Sequence, residues 1–119
     1  MRGVLLLTAS NDLAAEFQNL LPKNVRLLSE GDPPPADESF VFIDIDTIKV
    51  ERIREYAGRT FVIAVTDQER TGPVMEAATF GAHEIMRRPL RKDGIEKVLA
   101  ELEALKKELL EATKDLIIA

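Results

Sequence analysis

The sequence lacks cysteine altogether and contains a single histidine, His83. Without cysteine there is no disulfide, no thiolate zinc site and no cysteine nucleophile. No residue near His83 completes a catalytic triad or a metal site, so we expect this histidine at a strand edge or a turn. Apolar runs stop at five or six residues, far short of the roughly 20 residues of a transmembrane helix. The N-terminal run is also too short for a signal peptide, which predicts a cytoplasmic protein without a membrane segment.

Positive charge is also in short supply. The chain carries 16 Lys and Arg against 21 Asp and Glu, a net charge of −5. A face that binds nucleic acid needs clustered basic side chains, so direct nucleic-acid binding is not expected. The one basic run, "RRPLRK", is interpreted as a solvated loop in which only Arg88 points inward. No glycine-rich loop follows the first apolar run, which argues against a nucleotide site of the Rossmann or P-loop kind.

The 119 residues fit one domain with its own core. Apolar segments typical of buried strands alternate with helical patterns, which predicts parallel pairing and an α/β doubly wound sheet. The predicted strands span residues 4–8, 25–29, 40–44, 60–66 and 83–87, and the predicted helices span 11–21, 48–57, 73–80 and the chain from Asp93 onward.

Several helix ends have local signatures. Ser10 and Asn11 supply capping side chains before the first helix. Gly81 suits the end of the third helix, and Asp93 and Glu96 have the spacing of a capping box. The three prolines before the third strand leave no room for a full helix between the second and third strands.

The functional crevice of an open parallel sheet lies outside the carboxyl ends of its strands. The residues in that position are those that end each predicted strand. They are Thr8 to Ser10, Asp44, Thr66 and Arg88.

Three segments, "FVFIDID", "FVIAVTD" and "GAHEIMRRPL", resemble the receiver domains of two-component response regulators. The resemblance runs from about residue 4 to 105 and implies a flavodoxin-like five-stranded sheet of order 2-1-3-4-5. It places Asp44 at the phosphoacceptor position and Thr66 at the position whose hydroxyl contacts the phosphoryl group. It also places Arg88 where the family has a lysine before proline.

The departures from the family pattern point to a degenerate receiver. Receiver domains carry two adjacent acidic residues after the first strand that help to hold Mg²⁺, and Thr8 and Ala9 stand there instead. Mg²⁺ prefers carboxylate and water oxygens, so its affinity should be poor. Arg88 is a planar fork rather than a compact charge, and Ile85 replaces the family's aromatic switch residue. We therefore expect no metal, no cofactor and no enzymatic activity.

Alternatives remain open for these residues. If Asp12 or Asp67 supplies the missing carboxylate, the domain is a functional phospho-receiver that accepts a phosphoryl group on Asp44 with Mg²⁺. Without metal, Asp44 could instead pair with Arg88 across the crevice. Asp46 is expected to cap the following helix. A weaker alternative is an enzyme or small-ligand binder on the same fold.

The last helix carries apolar residues at alternating intervals of three and four, the heptad repeat of a coiled coil. The pattern continues beyond what the sheet can cover, which predicts a homodimer through this helix. We expect a receiver-like domain over 1–105 and a coiled-coil linker over 106–119 that leads to an output domain. The repeat consists of Ile95, Val98, Leu102, Leu105, Leu109, Ala112 and Leu116.

The resemblance then implies a function. It predicts a signal-receiving and dimerisation module of a response regulator that controls transcription through the attached output domain. The sigma-54-dependent activators are one such group, and a histidine kinase is a candidate partner.

Overall fold

The computed structural model describes residues 4–21, 25–28, 40–58, 60–67 and 71–118. Their strands form one parallel sheet in the order β2-β1-β3-β4-β5, which confirms the predicted α/β fold and strand order. The connection between β2 and β3, predicted to lack a full helix, lies outside the described residues. The strands are β1 (Val4–Leu7), β2 (Val25–Leu28), β3 (Phe40–Asp44), β4 (Phe61–Thr66) and β5 (Glu84–Arg87).

The three central strands are buried on both faces, as their unbroken apolar runs predict. Successive side chains alternate between two cores on opposite faces of the sheet. Phe42 and Ile63 belong to the first core, whereas Val41 and Val62 belong to the second. The central strands are therefore a buried layer, and Asp44 and Thr66 stand at their carboxyl ends.

Helices cover both faces. The first core is closed by α1 and α4, and the second by α2 and α3. The Ser10 side chain accepts a hydrogen bond from the Leu13 N–H, which confirms the predicted cap of α1. The helices are α1 (Asn11–Leu20), α2 (Ile53–Ala57, preceded by a 3-10 turn over Val50–Arg52), α3 (Thr71–Thr79) and α4 (Lys92–Ile118).

The predicted capping box of the last helix is wrong. The helix already begins at Lys92, so Asp93 lies in its first turn and not at the cap. The Asp93 carboxylate accepts from the Gly94 N–H at 2.9 Å and lies 3.6 Å from Arg91 Nε. Glu96 pairs instead with Lys92, one turn earlier, at 4.0 Å.

The helix α4 continues unbroken past residue 105 to Ile118. Ile95 and Leu102 are buried in the first core and Val98 packs against it, so these three members of the heptad repeat serve their own domain. Leu105 and Leu109, by contrast, are 42% and 55% exposed. The predicted contacts of Ala112 and Leu116 lie outside the described side chains. None of the described helices is both long and apolar enough to cross a membrane.

Gly81 ends α3 in the way that the sequence predicts. Its N–H donates to the Ala78 carbonyl at 3.1 Å, and the next N–H, of Ala82, donates to the Ala77 carbonyl at 3.0 Å. These two bonds form a Schellman motif. Gly81 has a φ of +111°, and a Cβ built there would lie 2.8 Å from Ala57 Cβ.

We predict that Gly81→Ala lowers the free energy of unfolding by about 1–3 kcal/mol, because it adds backbone strain and a close contact. Urea unfolding of the two chains measures the difference. Gly58→Ala is the matched control, since Gly58 ends α2 with a φ of −82° and has no heavy atom near its Cβ position. Equal stability losses in the two variants would contradict the prediction.

His83 lies in the turn before β5, as expected. Its backbone N–H donates to the Val62 carbonyl at 2.8 Å, and its Nδ1 accepts from the Val62 N–H at 3.0 Å. Burial lowers the pKa of the His83 imidazole. An accepting Nδ1 requires the neutral ring, so His83 extends the pairing of β4 and has a structural role.

Candidate functional site

The carboxyl edge of the sheet gathers the polar residues that end the strands. Asp44 is the last residue of β3 and is 1% exposed, although it carries an ionisable side chain. Thr66 ends β4 and is also buried. Thr8 follows β1 and is half-buried. The structure therefore brings the predicted positions of β1, β3 and β4 to one edge.

Hydroxyl groups from two loops hold the Asp44 carboxylate. The Thr8 and Thr47 hydroxyls donate to the same oxygen, Asp44 Oδ2, at 2.6 and 2.8 Å. The Asp46 backbone N–H donates to the other oxygen, Oδ1, at 3.1 Å. Both carboxylate oxygens of Asp44 are thus engaged inside the protein.

The backbone fixes the direction of these two hydroxyls. The Ser10 N–H donates to Thr8 Oγ1 at 3.0 Å, and the Ala9 N–H donates to Thr47 Oγ1 at 3.0 Å. Each hydroxyl has one hydrogen and accepts from the backbone, so its hydrogen is left for Asp44. Asp44 thereby ties the β1–α1 loop to the turn after β3.

Asp46, two residues beyond Asp44, serves the neighbouring strand. The Thr66 hydroxyl donates to Asp46 Oδ1 at 2.7 Å, and the Asp67 N–H donates to Asp46 Oδ2 at 2.6 Å. The prediction that Asp46 caps the following helix is wrong, because the carboxylate turns toward the end of β4. The Thr66 hydroxyl therefore donates to Asp46 and not to Asp44.

Arg88 does not reach Asp44. Its Nη2 lies 3.2 Å from Glu16 Oε2 on α1, so the alternative in which Arg88 pairs with Asp44 is wrong. The Arg88 backbone N–H donates to the Thr66 carbonyl at 2.9 Å, and the peptide bond to Pro89 is cis. Within the described part of the chain, no cation pairs with the buried Asp44 carboxylate. Its partners in this part of the chain are the three hydrogen-bond donors named above.

The residues at this edge do not fit the magnesium ion that the receiver fold implies. Mg²⁺ requires octahedral oxygen ligands, usually from one or two carboxylates and several waters. The Asp44 oxygens accept from internal donors, and Ala9 offers no side-chain ligand. The two substitute acids, Asp12 and Asp67, are exposed. Among the residues that the structure describes, no three His, Cys, Asp or Glu side chains converge to hold a metal.

Comparison with known proteins gives a fold. No protein-family model matches the chain, and no curated protein matches it by sequence. A response regulator from Thermotoga maritima aligns with a TM-score of 0.63 at 16% identity, over 85% of this chain and 97% of that chain. A CheY-like protein (tadZ) from Pseudomonas aeruginosa aligns with a TM-score of 0.67 at 14% identity, over 86% and 99%. The chain has the fold of response-regulator receiver domains.

A larger protein shares this fold over part of its length. NtrX from Brucella abortus aligns with a TM-score of 0.66 at 18% identity over 93% of this chain, but over only 29% of that chain. This chain therefore spans less than a third of NtrX. At these identities the likeness concerns the receiver fold.

Two residues that bind the predicted site residues at the carboxyl edge of the sheet were not predicted from the sequence. They are Thr47, which binds Asp44, and Glu16, which binds Arg88. Thr47 lies three residues after Asp44, in a turn whose Thr47 and Ile48 N–H groups both bond the Asp44 carbonyl. A hydroxyl at that spacing can return to the carboxylate, so Thr47 had a local signal. Glu16 had none, because it meets Arg88, 72 residues later in the chain, only through tertiary packing.

Proposed function

We propose that this domain is a degenerate receiver, a regulatory module that has no catalytic activity and whose Asp44 is a structural anchor. The observation that carries the proposal is the capture of both Asp44 oxygens by internal donors, two of them threonine hydroxyls. A phosphoacceptor must present a free carboxylate oxygen to the phosphorus atom. Asp44 is instead buried and held by its own chain.

The charges around Asp44 support the same proposal. Phosphoryl transfer depends on positioned cations that neutralise the charge developing on the transferred group. In the receiver family the acidic pair holds such a cation, and Thr8 and Ala9 replace that pair. The guanidinium of Arg88 faces Glu16 on α1. As far as the described residues extend, the edge lacks the positive charge that would make Asp44 a good acceptor.

The module would act on an attached output domain through α4. A response regulator from Thermotoga maritima has this fold, and the fold matches only a part of the longer NtrX chain. The first likeness, which covers 97% of the other chain, supports a regulatory domain, and the second supports its placement within a longer signalling protein. We infer control of transcription as the output, with sigma-54-dependent activators as one candidate setting. A histidine kinase is a partner only if phosphorylation survives.

We further propose that α4 forms a homodimer beginning at Leu105. The heptad repeat passes from the buried Leu102 to the exposed Leu105 and Leu109 within one continuous helix. Exposed leucines in register with a buried stripe favour a partner helix. A second copy of the chain supplies the same stripe.

A phosphate mimic tests the degenerate assignment. We expect that beryllofluoride with Mg²⁺ causes no saturable change in the amide NMR spectrum of the full chain, because Asp44 offers no free oxygen and no metal site. A saturable change that Asp44→Asn abolishes would establish the working phospho-receiver instead. In that case Asp12→Asn and Asp67→Asn show which carboxylate holds the metal. Both variants remove an exposed charge, so the one that leaves the response intact is the matched control for the other.

A further inference from the structure

The turn after β3 carries two carboxylates with separate tasks. Asp44 accepts from Thr8, directly after β1, and from its own turn, whereas the donors to Asp46 among the described residues lie at the end of β4. Each oxygen of Asp46 has its own donor, the Thr66 hydroxyl on Oδ1 and the Asp67 N–H on Oδ2. Both distances, 2.7 and 2.6 Å, are short, as hydrogen bonds to a charged acceptor are. The two carboxylate oxygens of Asp46 therefore bind two successive residues, Thr66 and Asp67.

We propose that Asp46 is a tethered anion that locks the end of β4 in one conformation, so that no external anion is needed to hold Thr66 and Asp67. The inference rests on the proposed function, because a working phospho-receiver would leave these donors to the transferred group. The lock is a contact within the chain that takes the place of a ligand.

The turn that carries Asp46 is held firmly enough to act in this way. On one side of Asp46, the Ile45 N–H donates to the Val65 carbonyl at 3.1 Å. On the other side, the Thr47 N–H donates to the Asp44 carbonyl at 3.2 Å. The carboxylate is thus presented from a backbone that is fixed on both sides. An anion so tethered has a high effective concentration at its donors and outcompetes free anions.

The lock has a route to the last helix. Thr66 is buried, and its carbonyl accepts from the Arg88 N–H at 2.9 Å, where the chain leaves β5 toward α4. The side chain of Arg88 in turn contacts Glu16 on α1. A shift of Thr66 would therefore move a backbone hydrogen bond at the entrance to α4. By holding Thr66, Asp46 would keep that entrance in a single state.

Replacing Asp46 tests the lock in the full chain. In Asp46→Ala the amide at position 67 loses a charged acceptor, and we expect its hydrogen exchange to accelerate about 10- to 100-fold. We expect the Thr66 methyl resonance to shift and to show microsecond-to-millisecond exchange broadening, because its hydroxyl has lost its acceptor. Asp67→Ala is the matched control: it removes the same charge from the same edge and keeps the N–H that Asp46 binds.

The outcomes of the Asp46 experiments can be distinguished from the outcome of the beryllofluoride test of Asp44. Faster exchange and methyl broadening in Asp46→Ala but not in Asp67→Ala support the lock. Unchanged exchange and an unchanged Thr66 methyl in a folded Asp46→Ala chain would overturn it, and so would equal effects in the two variants. If Asp46→Ala does not fold, Asp46→Asn, which keeps the shape and loses the charge, decides by the same two measurements. None of these experiments uses Mg²⁺ or a phosphate mimic, so the degenerate assignment of Asp44 stands or falls separately.

Discussion

Asp44→Asn is expected to lower the free energy of unfolding by about 1–3 kcal/mol. In the native protein the two Asp44 oxygens accept three hydrogen bonds, two from threonine hydroxyls and one from the Asp46 N–H. The Asn amide has one oxygen and one NH₂ group. Whichever way it is turned, its NH₂ group therefore faces a hydrogen-bond donor that Asp44 accepts from in the native protein. Urea denaturation of both chains at neutral pH, with linear extrapolation, measures the loss.

The sign of the change in the free energy of unfolding distinguishes a crevice of crowded carboxylates from a crevice of hydrogen-bond donors. In a pocket of crowded carboxylates, neutralising one of them relieves repulsion, and the substitution stabilises the fold. Here the carboxylate is surrounded by donors, so the same substitution should destabilise it. Asp12→Asn is the matched control, because Asp12 is exposed on the first turn of α1 and its change should stay within about 0.5 kcal/mol.

A thermodynamic mutant cycle, with the two threonine substitutions made together, assigns the effect to the hydroxyls. Thr8→Val and Thr47→Val keep the shape of each side chain and remove its donor. In the background of both substitutions, Asp44→Asn should cost much less than in the native chain, because the interactions that it disrupts are already gone. An Asp44→Asn chain that is more stable than the native one, or a cost that is unchanged in the valine background, would refute the hydroxyl clamp.

Most of the fold could be predicted from the sequence because buried strands have a simple sequence pattern. β1, β3 and β4 are covered on both faces, and a strand in that position has apolar residues throughout. The helices between the strands carry caps such as Ser10 and Gly81. Alternation of the two elements then leaves few topologies. The error at Asp93 concerns an element boundary, where the spacing of two side chains is a weak guide.

The candidate site was predictable in position but not in pairing. Asp44 and Thr66 lie at the predicted edge, because strand ends follow from strand positions. Their partners depend on tertiary geometry that no spacing encodes. Asp46 turns to Thr66, although its place after a strand is equally suited to a helix cap. Arg88 has a long side chain, and only the packing of α1 decides that it meets Glu16.

The last helix shows a different limit. Its heptad repeat is uniform from Ile95 onward, yet the structure divides it into two parts. Ile95 and Leu102 are buried against the sheet, whereas Leu105 and Leu109 are exposed. The apolar stripe is visible in the sequence, but the residue at which the sheet ends is not. The dimer proposed above can therefore use only the part of the stripe that begins at Leu105.

The full chain is expected to sediment as a dimer, at twice its mass of 13.3 kDa, at tens of micromolar. The double substitution Leu105→Glu/Leu109→Glu should make it a monomer, with a dissociation constant raised about 100-fold or more. Each glutamate puts a charge where a partner leucine would pack, on side chains that are 42% and 55% exposed in the single chain. Sedimentation velocity over a concentration series measures both chains. Circular dichroism shows whether each one remains folded.

Lys107→Glu provides the control, because it lies on the same stretch of α4, is exposed, and changes the net charge by the same two units as the double substitution. If charge alone governed association, this variant would dissociate as well. If the dimer interface consists of Leu105 and Leu109, the Lys107→Glu chain remains a dimer. A native chain that is monomeric at these concentrations would refute the dimer. A dimer that survives the double substitution would place the interface elsewhere on the domain. Neither result depends on Asp44, so the association of two chains through α4 is tested independently of the chemistry at the sheet edge.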